Sequence, residues 1–171
     1  MIYTERLIIR KITAEDIHHV FKGLSHPEVI KYYGVSFMTL EATKEQMDWF
    51  ANHEKNGTGQ WFAVCSKEDG TFYGAGGYND REAVNRKAEI GFWLLPEYWG
   101  LGIMGEAMLK IFDYGFNEMN LHRIEGFVDS ANEKCKKAVA KVGFKYEGTM
   151  VDCEIKDGKF SSTEIYAKFN D

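Results

Sequence analysis

The stretch NRKAEIGFWLLPEYWGLGIMGEAM (residues 85–108) decides how this chain folds. Its first half, Lys87 to Leu95, is a strand-length run ending in Ile90-Gly-Phe-Trp-Leu-Leu95, and Pro96 closes it because proline cannot continue a ladder. Four residues on, Gly100-Leu101-Gly102-Ile103-Met104-Gly105 is a literal G-x-G-x-x-G that opens a helix. That helix is predicted from about Ile103 to Asn120, with Met104, Met108, Ile111, Phe112, Phe116 and Met119 on one stripe. A strand from His122 to Asp129 follows. The segment therefore reads as one β-α-β unit with a glycine loop at the start of its helix.

Upstream, Gln60–Ser66 and Thr71–Tyr78 are rich in aromatic and β-branched residues and are separated by Lys67-Glu68-Asp69-Gly70, which is hairpin chemistry. With Lys87–Leu95 they predict an antiparallel meander over residues 60–95. The opening TERLIIRKI reads as a strand, and Thr13-Ala-Glu-Asp16 followed by Ile17, Val20, Phe21 and Leu24 as a capped amphipathic helix. Leu40 to Glu54 reads as a second helix. Downstream, a helix is expected from Ser130 or Asn132 to about Lys141, then two strands, Phe144–Lys156 and Lys159–Phe169, joined at Asp157-Gly158. The order β α α β β β α β α β β predicts an α/β fold: a mixed, mostly antiparallel sheet of about six to seven strands, a central β-α-β unit and about four helices. No repeat or Gly/Ser/Pro-rich linker interrupts residues 1–171, which are read as a single domain.

The chain has 171 residues, with 21 Lys or Arg against 26 Asp or Glu, so its formal net charge is −5. At 44% hydrophobic and 27% charged residues it has the balance of a globular protein rather than of a disordered or fibrous one. No apolar run approaches the ~18 residues of a membrane span, so no membrane partner is expected. MIYTERLIIRK lacks the apolar core of a signal peptide, which suits the cytoplasm. Cys65, Cys135 and Cys153 are odd in number and far apart, as befits a reducing compartment. No Cys/His spacing suits zinc, and no metal is expected. Nucleic-acid binding calls for clustered Lys and Arg, which the acidic balance argues against.

Read alone, the glycine loop says that an anion sits at a helix N-terminus, where unpaired amides and the helix dipole stabilise phosphate oxygens. Glycines that only let a Trp-Gly turn pack under the sheet are the plainer alternative. A dinucleotide site is a second one, and Glu125 lies twenty residues after Gly105, where a ribose-binding acid is sought. Against it, the glycines come four residues after the strand end, Glu125 lies mid-strand, and about 70 residues are left after the loop. A third reading is a coenzyme A pyrophosphate.

Here several segments agree. NRKAEIGFWLLPEYWGLGIMGEAM, then LHRIEGFVDSANEKCKKAVAKVGFKYEGTM, the opening TERLIIRKITAEDIHHVF and the HPEVIKYYG segment resemble, in order and spacing, the GNAT superfamily of acyl-CoA N-acetyltransferases. Within it they are similar to the group that includes the ribosomal-protein N-terminal (alanine/serine) acetyltransferases. The resemblance implies a GNAT-like fold, acetyl-CoA as cosubstrate, and acetyl transfer to a primary amine through a tetrahedral intermediate. A protein or peptide N-terminal α-amine is the favoured acceptor. A polyamine, aminoglycoside or amino-acid acceptor, or a non-catalytic acyl-CoA-binding module, are the alternatives. The analogy with that group also admits a homodimer.

The resemblance also implies site residues. Trp99 to Met104 occupies the superfamily's (Gln/Arg)-x-x-Gly-x-(Gly/Ala) loop, with Trp99 in place of the polar first residue and Met104 in place of the small last one. Leu101, Gly102, Ile103, Met104, Gly105 and Glu106 are then cofactor residues, with the amides of Ile103, Met104 and Gly105 as phosphate donors. Trp93, Leu94 and Leu95 contact the pantetheine arm, which pairs like an added strand, and an N–H near Leu94 or Leu95 meets the oxyanion. Asn132 and Lys137 belong to the second cofactor segment, where Cys135 stands at a position often held by serine. Asn132 also reads as a helix cap, and the lysines as a solvated face.

The chemistry narrows the proton carriers. Acetyl transfer needs an uncharged amine. An α-amine titrates near ~8 and a lysine side chain near ~10.4, so the first needs only modest help at neutral pH. Glu89 matches a position from which superfamily members draw a general base acting through water; its other reading is a cross-strand partner for Arg86, Lys87 or Arg123. Cys135 is the candidate acid, because a thiol near ~8.5 is close to the leaving thiol. Tyr146 and Tyr166 are alternatives, and a small buried hydrophobe is the plain reading of any free cysteine.

Overall fold

The computed structural model describes all residues, Met1–Asp171. Eight strands form one sheet: β1 (Ile2–Tyr3), β2 (Leu7–Lys11), β3 (Gln60–Ser66), β4 (Phe72–Glu82), β5 (Lys87–Leu94), β6 (Arg123–Asp129), β7 (Lys145–Lys156) and β8 (Lys159–Phe169), ordered β1-β2-β3-β4-β5-β6-β8-β7. Five helices accompany it: α1 (Ile17–Leu24), α2 (Pro27–Ile30), α3 (Leu40–Asn56), α4 (Ile103–Asn117) and α5 (Glu133–Lys141). The meander, the β-α-β unit and the closing hairpin stand where the sequence predicts them.

The differences are local. The opening strand begins at Leu7 rather than Thr4, because the chain first makes a turn in which the Thr4 N–H donates to the Leu7 carbonyl, and a short β1 precedes that turn. A short α2 follows His26, whose Nδ1 accepts from the Glu28 N–H. Helix α4 stops three residues early because the chain turns through Asn120, at φ +54°, a left-handed conformation that a helix cannot continue. The Ser130-x-x-Glu133 capping box does not form. Asn132 caps α5 instead, its Oδ1 accepting from the Cys135 N–H at 3.1 Å.

Strand β3 is buried on both faces, so its side chains divide between two layers. Phe62 and Val64 join Leu7, Ile9, Tyr78, Ile90 and Leu94 under α4 (Ala107, Met108, Ile111, Phe112) and α5 (Val139). Trp61, Ala63 and Cys65 join Ala75 and Trp93 under α1 (Val20, Leu24) and α3 (Met47, Phe50). Each fully buried aliphatic side chain contributes about 1.5–3 kcal/mol, and the two layers clamp the sheet from both sides.

Only β5 and β6 run parallel, and their pairing ends after Glu89↔Glu125. Beyond that rung β5 continues to Leu94 on β4 alone, and β6 continues to Asp129 on β8 alone. The two strands splay, leaving one edge of β5 open between them. An exposed sheet edge is a template for an added strand, and this one lies in the middle of the sheet.

Candidate active site

The splay brings three features together: the open edge of β5, the N-terminus of α4 and the N-terminus of α5. Gly100 and Gly102 sit at φ +76° and +74°, left-handed conformations that cost an L-residue about 1–2 kcal/mol. No side chain caps α4, and its first intrahelical bond runs from the Glu106 N–H to the Gly102 carbonyl. The N–H groups of Ile103, Met104 and Gly105 precede that bond and have no partner within the helix. A Cβ on Gly105 would meet no atom within 4 Å, so the space beside the first turn is open. The side chain of Ile103 is buried and that of Met104 packs on the core, which leaves their backbones to meet a ligand. Leu101 is exposed beside them.

Arg6 holds this loop, a role the sequence reading missed. Its Nε donates to Glu106 Oε2 at 2.7 Å, its backbone N–H to Glu106 Oε1 at 3.1 Å, and its Nη1 to the Leu101 carbonyl at 2.9 Å. Thr4 Oγ1 also donates to Glu106. The Glu106 carboxylate, expected at the cofactor, is thus taken up in tying α4 to the β1–β2 turn, and these bonds keep its pKa low despite the burial that opposes them. Arg6→Ala removes charge-assisted bonds that are half exposed, worth about 1–1.5 kcal/mol after solvent screening. Saturation kinetics are expected to show the acetyl-CoA KM rising about tenfold with kcat within twofold.

Along β5 the backbone directions alternate. The Leu95 N–H donates to the Tyr73 carbonyl at 2.9 Å, so it faces β4 and does not serve as the oxyanion donor the sequence reading allowed. Two-residue alternation then turns the Phe92 and Leu94 N–H groups, and the Leu94 carbonyl, into the splay. Trp93 is corrected as well: its backbone faces β4, and its ring is 5% exposed, packed on Phe72 and on Gly23 of α1. Trp99 enters instead. Its Nε1 donates to the Leu94 carbonyl at 2.9 Å, and Lys134 Nζ stands 5.2 Å from its ring, joining the loop to α5 across the splay. An aromatic at this loop position is thus a brace for the open strand, which a motif comparison reads only as a departure.

On α5, Lys136 is paired with Glu164 at 2.7 Å and with Glu133 at 3.1 Å, whereas Lys137 is exposed with no ion pair. Lys137, and Lys134 over the Trp99 ring, carry no ion pair and are free to meet phosphate. The Cys135 thiol packs on the core beside them, and burial pushes its pKa up to about 11. The match to the leaving thiol that recommended Cys135 as an acid is therefore absent: the leaving thiolate is the weaker base by ~2.5 units. Tyr166 Oη donates to Glu164 Oε1 at 3.3 Å, and Tyr146 is exposed on the outer strand, bonded to Thr149.

Glu89 lies on the last parallel rung, at the vertex of the splay. The cations nearest in sequence are engaged elsewhere: Lys87 with Glu82 and Glu125, Arg123 with Glu125 and Glu147. Arg86 reaches the Asn120 carbonyl. What Glu89 touches is Asn79 Nδ2, at 3.3 Å, and the same amide donates to Asp80 at 2.9 Å. Asp80 sits at φ +53° in an irregularity of the β4–β5 ladder that turns its carboxylate toward this cluster. Burial first, then the Asp80 charge, push the Glu89 pKa above its ordinary value, against the Asn79 hydrogen bond, and Glu125 adds to the rise. A half-buried carboxylate with no cation is poised to accept a proton.

A splayed parallel pair, an uncapped glycine-rich helix start and a carboxylate raised in pKa beside Asp80 at the vertex form a candidate acyl-CoA transferase site. Residues 6–145 match the acetyltransferase (GNAT) domain family, and the chain belongs to it. It is an acetyl-CoA-dependent N-acetyltransferase. Over 167 residues it is 32% identical to an uncharacterized N-acetyltransferase, p20, of Bacillus licheniformis, covering 97% of this chain and 94% of that one. In fold it is similar to a spermidine N-acetyltransferase from Vibrio cholerae, in complex with CoA and spermine, with TM-score 0.87, 19% identity and 97% and 96% of the two chains covered. The ribosomal-protein-S5-alanine acetyltransferase from Vibrio fischeri is equally near, with TM-score 0.87, 24% identity and 99% and 96% covered. A spermidine enzyme and a ribosomal-protein enzyme stand at the same TM-score, so the fold does not choose the acceptor.

Proposed function

We propose that residues 1–171 form a single catalytic unit that acetylates α-amines, with a peptide or protein N-terminus as the favoured acceptor, and that Glu89 takes the proton. The observation that carries this is the Glu89 carboxylate, raised in pKa, free of cations and set where β5 and β6 part. An α-amine needs a base of only modest strength, which a carboxylate shifted upward supplies through an intervening water. The amides of Ile103, Met104 and Gly105, with Leu101, Gly102 and Lys137 around them, hold the pyrophosphate. The open edge at Phe92 and Leu94 aligns the pantetheine arm, and the Leu94 N–H stabilises the developing oxyanion. Asn132 orders α5, its side-chain amide N–H remaining for the cofactor. Cys135 contributes packing, and the thiolate leaves to be protonated by solvent.

Two measurements test this reading. Acetyl-CoA at about 100 times its dissociation constant is expected to add about 2.7 kcal/mol, a melting rise of roughly 5–10 °C at this size, while NADH leaves the midpoint unmoved. Thiol release in the presence of short peptides must then follow. A thermal shift with no release from any amine would mark a binding module, and a shift with NADH alone would return the loop to a dinucleotide.

A further inference from the structure

A bulge in β4 sets a second carboxylate beside Glu89. Between the rungs Asn79↔Glu89 and Glu82↔Lys87, Asp80 and Arg81 stand opposite Ala88 alone, so β4 carries one extra residue there. Asp80 takes φ +53°, a left-handed conformation that glycine and asparagine adopt most readily. Strict alternation would send the residue after Asn79 to the α4/α5 face, where Tyr78 and Ala88 are buried. The bulge returns it to the Asn79 side instead, and its exposed carboxylate accepts from Asn79 Nδ2 at 2.9 Å. The same nitrogen donates to Glu89 Oε2 at 3.3 Å. One buried amide thus spans two carboxylates, one at the surface and one half-buried at the vertex of the splay.

No cation answers this pair. Lys87 is held by Glu82 and Glu125, and Arg123 by Glu125 and Glu147. Arg81, next to Asp80 in the chain, donates to the Met119 and Gly57 carbonyls. Glu125 faces Glu89 from β6, and Tyr33 faces it from the segment after α2, its phenol kept neutral by burial and by the Glu89 charge. Of two like charges set close together, the more buried one becomes the stronger proton acceptor. Among the charges that raise the Glu89 pKa, Asp80 stands ahead of Glu125, and only burial exceeds it.

We propose that Asp80 is a positioning residue for acetyl transfer: oriented by the shared Asn79 amide, its charge keeps the Glu89 carboxylate avid for the proton of the incoming amine. The inference rests on the assignment of Glu89 as the base. Asp80 acts through Glu89 alone, because general-base catalysis strengthens with the basicity of the group that takes the proton. Its loss should therefore weaken the step without removing the group that performs it.

The test uses Asp80→Asn and Asp80→Gly in the full chain, with L-alaninamide and acetyl-CoA as substrates. Both replacements tolerate φ +53° and so keep the bulge. Asparagine retains an oxygen for Asn79, glycine does not, and the charge is lost in each. With kcat/KM expressed per uncharged amine, the acidic limb of the pH profile is expected at lower pH in both variants than in the parent. The plateau should fall about tenfold, with the acetyl-CoA KM within twofold. Both variants should melt at or above the parent temperature at neutral pH, since the folded state no longer holds two unpaired carboxylates together.

A limb unmoved in both variants would make Asp80 a turn residue only and overturn the proposal. A limb moved by glycine but not by asparagine would place the effect in the Asn79 bond rather than in the charge, and would overturn it too. Glu89→Gln separates the inference from its basis. If that variant keeps the limb, Glu89 is not the base and both readings fall. If it loses the limb while Asp80→Asn keeps the parent profile, the role of Asp80 falls alone. An NMR titration of the Glu89 carboxyl carbon in the parent and in Asp80→Asn reads the same effect without turnover: a lower midpoint in the variant is expected, and equal midpoints overturn the proposal.

Discussion

Glu89→Gln is expected to lower kcat by about 10²–10³-fold, within the range for loss of a positioned general base, while melting at the same temperature as the parent or higher. The second half of that expectation separates catalysis from folding. In the folded chain burial, Asp80 and Glu125 hold the Glu89 pKa above its ordinary 4.5, so the folded state keeps a proton that the unfolded state releases. Between the ordinary and the raised value stability therefore falls as pH rises, and above it the protein carries the full cost of the unpaired charge. Glutamine removes the charge and keeps an oxygen for Asn79. The pH profile follows with the same sign. In the parent, kcat/KM should rise through a carboxylate pKa above 4.5, and this limb should vanish in the variant. Cys135→Ala is the matching control, expected to cost less than tenfold in kcat because a thiol with its pKa pushed up to about 11 is the poorer acid. If Cys135→Ala proved the more damaging change and Glu89→Gln the milder, the assigned roles would be reversed.

Gly102→Val is expected to weaken acetyl-CoA binding by at least about 100-fold, measured by calorimetry or by loss of the acetyl-CoA thermal shift. Two effects add. At φ +74° a β-branched residue is strained, by more than the ~1–2 kcal/mol of an ordinary L-residue, which works against the turn that starts α4. Its methyls would also stand at the mouth of the amides of Ile103, Met104 and Gly105, where phosphate oxygens must come within hydrogen-bond distance. The nearest protein atom to a Cβ there is Arg6 Nη2, at 3.4 Å, so the fold has room for the side chain. The loss should consequently appear in cofactor binding before it appears in stability. Gly102→Ala, with strain but little bulk, should fall between.

Much of the site was legible in residue order. Gly100, Gly102 and Gly105 have the spacing of an anion-binding loop at a helix start, and Glu89 was a candidate base whose pairing with Arg86, Lys87 or Arg123 the residue order left open. Several readings did not survive contact with geometry, among them three at the site whose reasons cross the chain. Glu106 looked available until Arg6 and Thr4, about a hundred positions earlier, took its carboxylate. Trp93 looked like a cofactor contact, yet strand alternation buries it on Gly23. Cys135 looked matched in acidity until the core closed over it. Arg6 and the bracing role of Trp99 were missed because both consist entirely of what the side chains touch.

By itself the sequence determined the order of elements, the meander, the glycine-opened helix and the family, because these depend on periodicity, turn chemistry and spacing along one dimension. It also limited the proton carriers to a few residues. Tertiary structure alone decided that β5 and β6 part after Glu89↔Glu125, which carboxylates keep a cation and which do not, and that a bulge in β4 brings Asp80 to the Asn79 side, beside Glu89. Those outcomes depend on burial, on which partner arrives first at each charge, and on strand register. Each is set by contacts between residues distant in the chain, and no local pattern of residues encodes them.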